Sequence, residues 1–138
     1  MMDFEECIKK RIVKEVTKDE DLIKSLLKTS QNKLNSEKKL SLDEITSASK
    51  ISLLYDSLRE LLEALALKNE FKIYNHECYT YFLKEVLNKN WIAEEFDDLR
   101  KIRNSINYYG KEISVPEAKE VLEKLMNLRK KVLEILKK

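Results

Sequence analysis

A single glycine, Gly110, and a single proline, Pro116, serve a chain of 138 residues. Tight turns between β-strands draw on glycine for left-handed backbone and on proline for a preset φ, so an all-β fold has almost nothing here to turn with. Leu, Lys and Glu, which are abundant instead, are among the better helix formers. The expected fold is all-α: an up-and-down helical bundle of about five to six helices, one domain over residues 1–138, long enough to bury a core.

Lys plus Arg number 27 and Asp plus Glu 25, so the formal charge is only +2. No broad field attracts a polyanion, and any RNA contact must come from a local patch. Charged residues make up 38% of the chain, which suits helix surfaces laced with opposite-sign pairs. Cys7 and Cys78 show neither metal-ligand spacing nor a disulfide framework, and are expected to be reduced, half-buried residues of a cytoplasmic protein. No apolar run approaches the length of a membrane span, and acidic residues stand near the start where a secretory signal would be basic and then apolar. His76 is the only histidine. It cannot build a histidine metal site, no carboxylate spacing completes one, and no cofactor is expected.

Along the chain, Phe4, Cys7, Ile8, Ile12 and Val16 recur at helical spacing and predict a first helix from Asp3 to Val16 with a basic side. Thr17-Lys-Asp-Glu20 has the form of a capping box for a second helix, striped by Leu22, Ile23, Leu26, Leu27 and Leu34. The polar stretch from Ser30 to Lys39 either finishes it or forms the connection. Ser41-Leu-Asp-Glu44 is a second capping box, and behind it one long helix runs to about Asn69, with Ile45, Ile51, Leu54, Tyr55, Leu58, Leu61, Leu62 and Leu65 buried. This is the expected central helix. Phe71 to Asn75 has no helical period and leads to Asn75 as the cap of a helix carrying Cys78, Tyr79, Phe82, Leu83, Val86 and Leu87. Ser114-Val-Pro-Glu117 caps the last helix, whose stripe runs from Ala118 to Leu136. Arg129, Lys130, Lys131, Lys137 and Lys138 load its C-terminal end with charge the helix dipole favours. Those residues and Lys9 to Lys14 are either ordinary solvated faces or, if they adjoin, a diffuse phosphate-attracting surface.

The most unusual stretch is Ile92 to Gly110. At about 100° per residue Ile92, Phe96, Leu99, Ile102 and Ile106 share one arc of a helix, and Arg103 falls inside it. Arg100 and Asn107 stand at the rim. A guanidinium on an apolar stripe needs a partner. It either snorkels past its neighbours, pairs with a core carboxylate, or marks a polar site at a groove or a subunit interface. Gly110 should close the helix as a left-handed cap.

The order of these parts resembles the HEPN family (higher eukaryotes and prokaryotes nucleotide-binding). The resemblance lies in the long Ser-Leu-Leu-Tyr-Asp-Ser-Leu-Arg-Glu-Leu-Leu-Glu-Ala helix, a shorter helix with His-Glu near its start, then Leu-Arg-Lys-Ile-Arg-Asn-Ser-Ile-Asn-Tyr-Tyr-Gly and a final amphipathic helix. It covers the chain from about Leu42 onward. It implies a helical bundle that pairs as a homodimer, with toxin-antitoxin or antiviral relatives that are metal-independent endoribonucleases. The family motif of Arg, a polar residue, three variable residues and His places Arg103 and Asn104 in the first two positions, with Tyr108 in the His place. The implied site is Arg103, Asn104 and Tyr108, with Arg100, Asn107 and Tyr109 as RNA or nucleotide contacts. In the branch that pairs with a minimal nucleotidyltransferase antitoxin, a nucleotide-accepting Tyr stands two residues past the His; here that position is Gly110, and Tyr109 is out of register.

The Tyr108 departure changes the chemistry. Attack by a ribose 2'-hydroxyl needs a base and an acid, and a tyrosine with a reference pKa of about 10 is a poor base at neutral pH. Two functions therefore stand side by side: an RNA-binding protein or endoribonuclease, and an inactive interaction module for a nucleotidyltransferase or other partner. Residues five apart on a helix diverge by about 140°, so Tyr108 is expected to face away from Arg103 unless the helix loosens before Gly110 or the two meet from different subunits.

Overall fold

The computed structural model describes residues 2–138 and is a helical bundle with a small two-stranded ribbon on one side. Its elements are α1 (Phe4–Lys9), β1 (Val13–Glu15), α2 (Glu20–Lys38), α3 (Ser47–Lys68), β2 (Phe71–Ile73), α4 (His76–Tyr81) continued by a π-helical turn (Phe82–Val86), α5 (Asn90–Tyr109) and α6 (Val115–Leu136). α3 is the central helix, packed chiefly against α2 and α6. From Leu61 to Leu67 every residue but Glu63 is buried, as its nearly all-apolar composition requires.

Polar side chains close the helix ends that the core covers. Lys50, itself buried, donates from Nζ to the carbonyls of Glu37 (2.9 Å) and Leu40 (2.6 Å) at the end of α2 and pairs with the Glu37 carboxylate at 2.7 Å. Lys68 donates to the Leu136 carbonyl at the end of α6 (2.7 Å). Both place a cation where carbonyls lack partners and the dipole is negative.

Several expected boundaries shift. The helix expected from Asp3 to Val16 stops at Lys9. Arg11 then takes a left-handed φ of 60°, and Val13–Glu15 pairs antiparallel with Phe71–Ile73, Val13 opposite Ile73 and Lys14 opposite Lys72. Ile12 and Val16 kept the four-residue spacing of the helix while following a strand, which the period alone cannot distinguish. Asp19, not Thr17, caps α2, its side chain accepting from the Leu22 N–H (3.0 Å). The polar stretch after Ser30 continues as helix to Lys38. Ser41 caps nothing: the Asp43 carboxylate accepts from the N–H groups of Ile45 and Thr46, α3 begins only at Ser47, and Ile45 is left 89% exposed. Asn75 caps α4, Ser114 and Glu117 form the capping box of α6, and Gly110 ends α5 with φ 64°.

The cysteines correct a further expectation. Cys7 and Cys78 are fully buried and joined by a disulfide, their Cα atoms 6.3 Å apart. They lie 71 residues apart in sequence, and only the packing of α1 on α4 brings them together. Among the described residues no helix is long and apolar enough to cross a membrane, and no cluster of side chains could hold a metal.

Candidate nucleic-acid interface

α4 and the C-terminal half of α5 enclose a cleft of about 330 Å³ lined by Tyr74, His76, Glu77, Arg100, Arg103, Asn104 and Tyr108, among others. Behind Arg103 and His76, outside the cleft lining itself, lies Tyr55 of α3. This ring is wholly buried, stacks on Phe96 with centroids 6.0 Å apart, and lies beneath the Arg103 guanidinium at 5.1 Å. Its hydroxyl meets His76 Nδ1 at 3.1 Å.

Arg103 answers both readings of an arginine on an apolar stripe. It meets a carboxylate of its own chain, Asp56, but at 3.8 Å, too long for a hydrogen bond. It also opens onto the cleft. There Nη1 donates to the Tyr108 hydroxyl (3.1 Å), with the guanidinium 5.5 Å from the Tyr108 ring as well. Its Nε is buried with no hydrogen-bond partner among the described residues. The guanidinium is thus held between two aromatic faces, with part of its donor set unused.

Tyr108 reaches Arg103 within one chain, by the loosening of the helix before Gly110 that is the condition for their meeting. The N–H groups of Gly110 and Lys111 both donate to the Ser105 carbonyl, so the last turn of α5 is wider than a regular repeat, and the length of the arginine spans the rest. Arg100 is anchored by Asp97, which accepts from its Nε (3.0 Å) and Nη2 (2.8 Å) and from Thr80 of α4 (3.2 Å). Burial works against the Asp97 charge, yet Arg100 and Lys101 outweigh it and hold the carboxyl below its usual range. Asn104 lines the cleft; Asn107 instead accepts from Ser52 of α3 (3.2 Å), and Tyr109 projects away, 83% exposed.

His76 enters this cleft from a segment the α5 motif does not contain. Burial, reinforced by the guanidiniums of Arg59, Arg103 and Arg100, lowers its pKa to about 4. At neutral pH it carries no charge. Burial also raises the Tyr55 phenol above its ordinary value, against the pull of the same arginines, so the hydrogen bond between Tyr55 and His76 joins two neutral groups. Beside His76, the Glu77 carboxylate accepts from Tyr81 (3.0 Å).

The basic chain ends do not form one surface. Lys9 and Lys10 pair with Glu5 and Glu6, Arg129 is buried, and Lys131 lies over the Trp91 ring at 3.5 Å. Comparison of the chain with family models, with curated proteins and with solved structures finds no match.

Proposed function

We propose that this chain is a HEPN-like RNA-binding domain that holds a phosphate of its ligand in the cleft between α4 and α5. The observation that carries the reading is the placement of Arg103. It has a buried, unsatisfied Nε, a hydroxyl acceptor on Tyr108 and only a distant carboxylate, beside Arg100, Asn104 and His76. Guanidinium edges and neutral N–H and O–H donors suit a phosphate oxygen. Pairing of two copies at this end belongs to the same proposal, and exposed Ile45, Tyr108 and Tyr109 supply apolar surface there.

The tyrosine in the motif's His place favours binding over cleavage. Tyr108 stands where the motif has its His, and a phenol there is a poor base for a 2'-hydroxyl, while His76 is neutral and engaged with Tyr55 through Nδ1. A labelled single-stranded RNA should bind the wild type and lose at least tenfold in affinity with Arg103→Ala, measured by fluorescence anisotropy at low salt. In a metal-free cleavage assay, wild type, Arg103→Ala and Tyr108→Phe should share one background. Cleavage by the wild type that Arg103→Ala abolishes would instead restore the endoribonuclease reading. RNA binding equal in wild type and Arg103→Ala would remove the cleft from either one.

A further inference from the structure

The β1–β2 ribbon carries a second feature that the cleft does not absorb. Val13 and Ile73 are buried opposite each other, so the next pair, Lys14 and Lys72, emerges on the outer face directly across the strands. Like charges in that position weaken a strand pair. Neither lysine forms an ion pair with a carboxylate among the described residues. Both ammonium groups instead stand over the ring of Tyr74, 5.5 and 5.9 Å from its centroid. That ring is 57% exposed and also lines the Arg103 cleft. An exposed aromatic ring flanked by two cations without carboxylate partners, continuous with a cleft lined by Arg100 and Arg103, has the layout of a stacking platform on a phosphate track.

We propose that Lys14, Lys72 and Tyr74 form a second subsite, where Tyr74 stacks one base of single-stranded RNA and the two lysines meet the adjacent phosphates. This inference rests on the cleft reading and narrows it. The ligand is a strand of several nucleotides that runs from the cleft onto the ribbon, not a mononucleotide, and not a duplex, whose base faces are hidden.

The test is anisotropy on the full chain with a labelled eight-nucleotide single-stranded RNA and, separately, a fluorescent adenosine monophosphate, each at several salt concentrations. Tyr74→Ala should weaken the octamer about tenfold, and Tyr74→Phe should retain wild-type affinity. Lys14→Ala with Lys72→Ala should weaken the octamer and make log K against log salt shallower by about 1.4, roughly 0.7 for each phosphate released. Mononucleotide binding should be the same in the lysine double variant as in wild type. Octamer binding unchanged by both Tyr74→Ala and the lysine pair would overturn the subsite. If Arg103→Ala still abolishes binding in that case, the cleft reading survives alone. If Arg103→Ala binds the octamer normally while Tyr74→Ala does not, the cleft reading fails and the ribbon stands.

Discussion

Arg129 on α6 and Arg103 on α5 each interrupt an apolar helix stripe, and the two guanidiniums end in different company. Arg129 is 5% exposed and has no carboxylate partner among the described residues. Its Nε donates to Ser57 Oγ (2.8 Å) and its Nη2 to Ser30 Oγ (3.3 Å). The two serines also donate to each other's backbone carbonyls, at 2.6 and 2.7 Å, which ties α2, α3 and α6 into one polar knot inside the core. Burial lowers the Arg129 pKa with nothing opposing it. Arg103, with its side chain 14% exposed, faces two aromatic rings, a distant carboxylate and an open cleft. One arginine is tied to serines of two neighbouring helices inside the core, while the other lines a cleft open to solvent. An arginine on an apolar stripe is therefore not by itself a functional sign; what separates the two is whether the guanidinium ends inside the core or in a cleft.

Substitutions can break or sharpen that contrast. The largest expected effect falls on the cleft side of the molecule. Replacing Cys7 and Cys78 by Ser should cost about 2–4 kcal/mol in urea unfolding, since the crosslink closes a long loop of the unfolded chain. Amide exchange should quicken in α1, β1, β2 and α4 but stay slow in the α2–α3–α6 core; uniform loosening would show that the two regions are one cooperative unit. Next, Arg129→Ala should cost about 2–3 kcal/mol by truncating a buried side chain, with RNA affinity unchanged. Arg103→Ala should cost about 1 kcal/mol or less and act on RNA affinity. If the two variants traded these effects, the contrast would be reversed.

A smaller effect concerns pH. The His76 pKa falls from an unfolded value of about 6.5 to about 4 in the folded chain, so between those values the unfolded state binds the extra proton. Its contribution is full above pH 6.5 and is lost as pH falls toward 4. Allowing for solvent screening at a half-buried ring, this amounts to about 2 kcal/mol. The difference in stability between pH 7 and pH 4 should shrink in His76→Gln; an unchanged difference would place the titrating group elsewhere. The smallest effect belongs to Tyr108→Phe, which keeps the ring beside Arg103 but loses the acceptor. It should change stability by less than about 0.5 kcal/mol and weaken RNA two- to threefold.

Much of the helical frame was legible before any coordinates. The stripes of α3, α5 and α6, the Asn75 and Ser114 caps and the left-handed Gly110 follow from residue type and spacing, because each is decided within one or two turns of chain. Arg11 and Glu70, left-handed without being glycine, punctuate the ribbon at places that residue preferences pass over. The disulfide and the Arg129 knot join distant segments, and Arg129 itself was read as helix-end charge because its serine partners lie on α2 and α3. The site divides the same way. Arg103, Asn104 and Tyr108 share one motif and were found together. His76 and Tyr74 reach the cleft, and Tyr55 backs Arg103, only through the packing of α3 and α4 on α5; the one hint in the sequence is a lone histidine directly after a capping asparagine among tyrosines.

The most direct measurement follows the side-chain Nε–H signals of the five arginines by NMR during titration with the single-stranded RNA octamer. The account predicts that the Arg103 signal shifts in a saturable way and that the Arg129 signal stays where it is. An Arg103 signal that does not move while the RNA is bound would contradict it.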